Sequence, residues 1–298
     1  MQAFSRGWSF LQQAWGMAFK DKDLIKPSIY SLFAGMVVSA IGIIPIVGAA
    51  FLLGDSDLGN IVMFVFGAIL VFVQFVVGYI FSAMTVYLIY GYLAEGDGRM
   101  DKAWAIVRRD FFDILTLAAV STAVNLLRSA AQRNRRGGIG AGVARAATGL
   151  LQTLWTEAAY LVLPAMVIDD LNLKKGLERV WKITKENLLL IGVSTVGVGW
   201  VTGLIGFVLG VIGAALGFGV GYVVIAVLGS EALGLVIGIG LGAMIFFTFV
   251  MVASVIGSYT GTAYHTCLYL WARETEKARE VGQAAAVAAP APLAAVLS

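Results

Sequence analysis

Residues 61–93 form a run without a single charged side chain. As a straight helix that run would measure roughly 50 Å, well beyond the ~30 Å hydrocarbon core of a bilayer, so a helix there must tilt or protrude. Other long apolar runs lie at 28–53, 146–168, 188–211 and 233–271, with a shorter one at 111–127. In hydrocarbon only helices and closed barrels satisfy every backbone polar group. These runs are continuous rather than alternating, which predicts an all-α fold: a polytopic transmembrane helix bundle of about six spans. Composition agrees, since 59% hydrophobic and 13% charged residues lie outside the usual soluble range.

The expected layout has three parts. Residues 1–27 place Phe4, Trp8, Leu11, Trp15 and Phe19 at helical spacing, predicting an amphipathic helix in the headgroup region or docked on the rest of the protein. Residues 28–271 hold the spans, with Pro45 and Pro164 inside two of them. A second interfacial helix is expected at 172–186, with Asn172 as N-cap. The stretch GAALGFGVGYVVIAVLG (213–229) reads either as a turn with a re-entrant element or as a further crossing. The Ala/Pro-rich tail, 272–298, is expected to be disordered. Residues 1–19 lack the pattern of a secretory signal, so the chain is expected to start at or near Met1.

All 21 basic residues fall into five clusters: the N-terminus, 99–109, 128–145, 174–185 and the C-terminal tail. The segments 54–60 and 212–232 contain none. Because short cytoplasmic loops collect lysine and arginine, the basic segments should be inside. Six spans put both termini in the cytoplasm, as the rule requires, but place the five arginines of 128–145 outside, against it. Alternatively, 111–127 and 146–168 form a hairpin dipping from the cytoplasmic face. The shortness of the first, which carries Asp113 and Asn125, favours the dip, while the hydrophobicity of the second favours crossing. The expected location is a prokaryotic inner or plasma membrane.

Material for catalysis is scarce. His265 is the only histidine and Cys267 the only cysteine, and no HExxH, GxSxG or P-loop pattern occurs. The expectation is a protein that is not an enzyme, with no cofactor and no metal site. Glu157 and Asp113 form a candidate intramembrane polar site, because an ionisable group there costs roughly 2.5–3.5 kcal/mol and needs a partner. For Glu157 the nearby candidates are Arg145 and Asp113, and His265 reads as a hydrogen-bonded interface residue. Gly206 with Gly210, Gly213 with Gly217 and Gly221, and Gly234 with Gly238 and Gly242 have the spacing of close helix packing, within or between subunits.

The basic residues Arg128, Arg133, Arg135, Arg136, Arg145, Lys174, Lys175, Arg179, Lys182 and Lys185 are candidate contacts for lipid headgroups. Lysines beside a membrane attract anionic lipid at about 1 kcal/mol each, and arginines can grip a phosphate bidentately. The expected partners are therefore membrane lipids, anionic ones above all, with a homo-oligomer or another membrane protein as further possibilities. Nucleic acid is not expected.

The segment WTEAAYLVLPAMVIDDLNLKKGLERVWKITKENLLLIGV combines an aromatic-rich helix with a proline, an acidic turn, an amphipathic helix and the next span. Through Trp155, Pro164, Gly176, Leu177, Trp181, Lys185 and Asn187 it resembles bacterial and archaeal six-span proteins related to the glycerophosphoryl diester phosphodiesterase membrane domain. The match is confined to about residues 155–193, and Val180 and Trp181 replace the serine usual after the arginine. The resemblance implies an integral bundle and no catalytic domain. Two functions fit these residues: a scaffold or accessory subunit that organises lipid or a membrane partner, and a transporter or channel with a polar site near Glu157 and the glycine-rich 213–229.

Overall fold

The computed structural model describes residues 2–54, 56–133, 139–229, 232–280 and 287–297. Its helices are α1 (Gln2–Lys20), α2 (Lys26–Leu53), α3 (Asp57–Glu95), α4 (Met100–Arg109), α5 (Phe111–Arg133), α6 (Ile139–Asp169), α7 (Leu173–Leu228), α8 (Ala232–Glu280) and α9 (Ala291–Leu297), with a 3-10 turn at Lys22–Leu24. No strand occurs among the described residues. Six helices are long and apolar enough to cross a membrane: those containing 22–53, 57–95, 111–132, 145–169, 198–228 and 232–279. This is an all-α helical bundle, compatible with an integral membrane protein.

The helices pack largely as antiparallel pairs, α2 with α3, α5 with α6, and α7 with α8, and α3 touches α5, α6 and α8. The ends are set by local chemistry. The Ser56 side chain accepts from the Gly59 amide at 3.1 Å and caps α3. At the other end Gly96 turns the chain at φ +80°, a conformation that a Cβ disfavours. Asp21 ties α1 to the loop after α3 by accepting from the Gly98 amide at 2.7 Å. A Cβ on Gly98 would lie 2.8 Å from a Leu24 methyl and 2.9 Å from that same carboxylate, so the elbow needs glycine.

The buried core gathers where α1, the C-terminal halves of α3, α6 and α8, and the first half of α5 converge. Phe10, Met84, Leu88, Ile89, Leu117, Leu163, Met166, Tyr259 and Tyr264 are all buried there, and Phe10 meets Tyr264 edge-on at 5.5 Å. Away from this base the hairpins present apolar side chains outward, with Phe51 86% and Leu233 71% exposed. Uncovered apolar surface on that scale fits a hydrocarbon solvent and not water.

Several elements differ from expectation. The helix expected at 172–186, the span at 188–211 and the glycine-rich 213–229 are one continuous helix of 56 residues, α7. Its residues 198–228 are long and apolar enough to cross a membrane, and the glycine-rich stretch is neither turn nor separate crossing. Asn172 does cap it, accepting from the Lys175 amide at 3.0 Å. The short run at 111–127 extends as α5 to Arg133, 23 residues or about 33 Å, because polar Ser129 and Gln132 still propagate a helix. The segment 100–109, read only as polar, is α4, which buries Ala103 and Val107.

The tail expected to be disordered is partly helical: α8 continues to Glu280, and α9 packs on α1 with Leu293 fully buried. Alanine-rich sequence propagates helix readily, and Leu293 supplies the apolar contact that low complexity concealed.

Candidate functional site

Polar side chains from five helices converge within the bundle. On α6, Trp155 and Thr156 follow Gln152 by three and four residues and Tyr160 follows Thr156 by four, so they share one face. They meet Gln74, Tyr79 and Ser82 of α3, Ser121 and Asn125 of α5, Ser31 of α2 and Ser258 of α8 around a cavity of about 240 Å³. No Asp, Glu, Lys or Arg is among the described residues lining it.

Its walls are joined by hydrogen bonds whose directions follow from donor count. Ser121 donates its one proton to the Leu117 carbonyl at 2.9 Å. It must therefore accept both from the Tyr79 hydroxyl at 2.7 Å and from the Trp155 indole at 2.8 Å, linking α3, α5 and α6 at one oxygen. Gln74 donates to the Gly35 carbonyl at 2.8 Å and to Ser39 at 2.6 Å, fastening α3 to α2. At the rim the Arg128 guanidinium donates to the Gln152 carbonyl oxygen.

Behind the cavity wall, the Tyr160 ring stacks on His265 with centroids 4.8 Å apart. His265 is buried and its Nε2 lies 3.2 Å from the Glu157 carboxylate. The structure thus gives Glu157 a partner on α8, where the sequence pointed to Arg145 or Asp113. That pairing joins residues 108 positions apart in the chain, which local spacing does not reveal. Asp113 sits in the first turn of α5.

The basic candidates separate into groups. Lys174, Lys175 and Lys185 are exposed, as is Trp181 beside them. Arg179 and Lys182 instead bind Glu276 of α8, Arg179 at 2.8 Å. Arg128 is held by Gln152, and Arg145 is exposed. Arg135, Arg136 and the side chain of Arg133 lie outside the described residues.

Next to the Glu276 clamp, Arg273 reaches Asp169 at 2.9 Å and lies over the Tyr90 ring at 5.8 Å, while Tyr269 donates to the same carboxylate. Arg109 closes the other side, bonding Asp110 at 2.6 Å and Asp170 at 3.2 Å, and the Asp110 hydrogen bond keeps its guanidinium above the ordinary arginine range.

The glycine ladder is used inside the α7–α8 hairpin. A Cβ on Gly217 would lie 2.5 Å from the Gly242 carbonyl oxygen, one on Gly221 2.9 Å from that of Gly238, and one on Gly213 2.6 Å from Phe249. Gly234 sits against the turn, 2.0 Å from the Gly229 oxygen by the same measure. Gly206 and Gly210 face open space.

Among the described residues no three His, Cys, Asp or Glu side chains come close enough together to hold a metal ion. Sequence reading passed over the cavity because Gln74, Tyr79, Ser121, Gln152, Trp155 and Tyr160 are each unremarkable alone. The available signal was that polar and aromatic residues inside apolar runs share helical faces. No protein-family model matches the chain, and a search of curated proteins finds no relative.

Proposed function

We propose that this is a non-enzymatic integral membrane protein that organises anionic lipid or a membrane partner, with both termini in the cytoplasm of a prokaryotic cell. The supporting observation is the division between a compact, charged base and uncovered apolar hairpins. Exposed Lys174, Lys175 and Lys185 flank exposed Trp181 at that base, an arrangement suited to phosphate headgroups and to the interfacial depth tryptophan prefers. The relation to the phosphodiesterase membrane domain belongs to the same proposal, on the strength of the local motif alone. The test is native mass spectrometry of the protein in nanodiscs containing phosphatidylglycerol. Replacing the three lysines by glutamine should reduce retained anionic lipid several-fold, and the effect should fade with salt. Unchanged retention would remove this reading.

A second reading, a transporter or channel, is supported by one observation: a polar cavity among helices long enough to span, adjoining the Glu157–His265 pair. On that reading Glu157→Gln abolishes flux in proteoliposomes while the protein stays folded. The lipid-organising reading leaves permeability unchanged.

A further inference from the structure

We propose that the cavity among α3, α5 and α6 is a binding site for an uncharged polyol, of glycerol to monosaccharide size. The proposal rests on the second reading only in taking this cavity as a site, and requires neither transport nor lipid organisation. Ser31, Ser82, Asn125, Ser258 and the Tyr160 hydroxyl line it, and none of these side chains has a hydrogen-bond partner among the described residues. These groups are half-buried or, at Tyr160 and Ser258, exposed, so they stand free to bond a guest that enters the cavity.

The chemistry of the walls narrows what that is. With no Asp, Glu, Lys or Arg among the described lining residues, a charged guest would lack a counter-charge there, and desolvating an unpaired ion is costly. The Arg128 guanidinium donates to Gln152 at the rim and is not part of the lining. What remains is a balanced neutral set: hydroxyls that both donate and accept, the Asn125 amide with one acceptor and two donors, and the spare oxygen of Gln74, whose amide donates to α2. Phe75 and Tyr79 contribute a stacked aromatic pair with centroids 5.9 Å apart, and the Trp155 ring forms another wall. Flat apolar faces beside mixed donors and acceptors complement a polyol, which carries hydroxyls around a C–H surface. The volume of about 240 Å³ corresponds to about eight waters at ~30 Å³ each, room for a small sugar but not for a whole lipid.

Such a polyol can arrive as a free solute or as the uncharged headgroup of a glycolipid, and the test separates the two. The full chain is placed in phosphatidylcholine nanodiscs, and saturation-transfer NMR is recorded with glucose and with glycerol. In parallel, nanodiscs doped with monoglucosyl diacylglycerol are examined by native mass spectrometry. Binding of glucose or glycerol identifies a soluble ligand, and retention of the glucosyl lipid alone identifies a headgroup. Either should fall about five-fold in Asn125→Leu and in Trp155→Leu, as expected for losing one neutral hydrogen bond or one aromatic wall. Trp200→Leu, at an exposed position on α7, should bind as the native chain does. If Asn125→Leu fails to fold, the double variant Ser31→Ala and Ser82→Ala takes its place, since it removes only two hydroxyl groups. No binding of any probe to the native chain, or binding undiminished in the cavity variants, overturns the proposal and leaves a water-filled cavity.

Discussion

His265 Nε2 stands 3.2 Å from Glu157 Oε2 while its Nδ1 stands 2.7 Å from the Gly261 carbonyl. A carbonyl can only accept, so Nδ1 carries a proton. For the contact on the far side to be a hydrogen bond, one further proton must lie between Nε2 and the carboxylate, shared by the pair as a unit. Either placement leaves the pair with no net charge, which lowers the cost of keeping Glu157 inside a span. Glutamine at position 157 can donate to Nε2 without that proton. Glu157→Gln should therefore lower unfolding stability by less than about 1 kcal/mol. His265→Ala also removes the stack on Tyr160 and should cost about 2–3 kcal/mol. Denaturant unfolding in mixed micelles measures both, and equal losses would contradict this assignment.

The α7–α8 hairpin divides its glycines into two classes. Gly217 and Gly242 meet backbone to backbone, so Gly217→Ala and Gly242→Ala each force the helices apart and should destabilise by about 1–3 kcal/mol. Gly206 and Gly210 have nothing within 4 Å of an added Cβ. Alanine there should be neutral or slightly stabilising through helix propensity. Resistance of the hairpin to SDS-induced unfolding tests the contrast. A loss at Gly206 or Gly210 matching that at Gly217 would point to a partner helix on the open face.

Glu276 is the hinge of the clamp between α7 and α8, since one carboxylate, largely buried, receives Arg179 and Lys182 from α7. Deleting it removes the carboxylate that holds the two cations together, and the Arg179 side chain is itself mostly covered. Glu276→Ala should cost about 2–4 kcal/mol, while Lys174→Ala, on an exposed side chain, should change stability by less than about 0.5 kcal/mol. Thermal unfolding in nanodiscs distinguishes them. Because part of the penalty comes from two like charges kept adjacent after their shared carboxylate is gone, the double variant Glu276→Ala with Lys182→Ala should recover part of it.

Continuous apolar runs carried the helical class, the boundaries of α2 and α3 and the start of α8 within a few residues, because lipid leaves the backbone few alternatives. Asn172 was readable as a cap for the same local reason. Sequence reading broke down where the outcome depends on distant partners. Nothing near Glu157 specifies His265 rather than Arg145, and nothing in 186–213 marks whether the amphipathic segment, the span and the glycine-rich stretch join into one helix. The cavity is harder still, since Ser121 matters only because Tyr79 and Trp155 reach it from two other helices. Arg179 and Lys182 looked like headgroup contacts because their charge is visible in the sequence and Glu276 lies 94 residues beyond Lys182.

Helix lengths measured from a shared level give the depth at which α5 ends. Tyr79 and Ser121 are in contact, so α3 and α5 are at the same depth there. From that level α5 continues twelve residues to Arg133, roughly 18 Å, and α3 continues twenty-two to Asp57, roughly 33 Å. The α5–α6 end therefore falls about 15 Å short of the α2–α3 end if the helices run parallel. Yet α5 as a whole, at 23 residues, is still as long as the ~30 Å hydrocarbon core is thick. With the charged base inside, the end of α5 at Arg133 should just reach the outer surface. Cys267 is buried, so single cysteines at Arg135 and Lys175 can be read against a quiet background once Cys267→Ser confirms it. A membrane-impermeant maleimide should label position 135 in intact cells and position 175 only after lysis. Labelling of neither until lysis would make α5 and α6 a hairpin entering from the cytoplasm. The polar cavity would then open toward the inside of the cell.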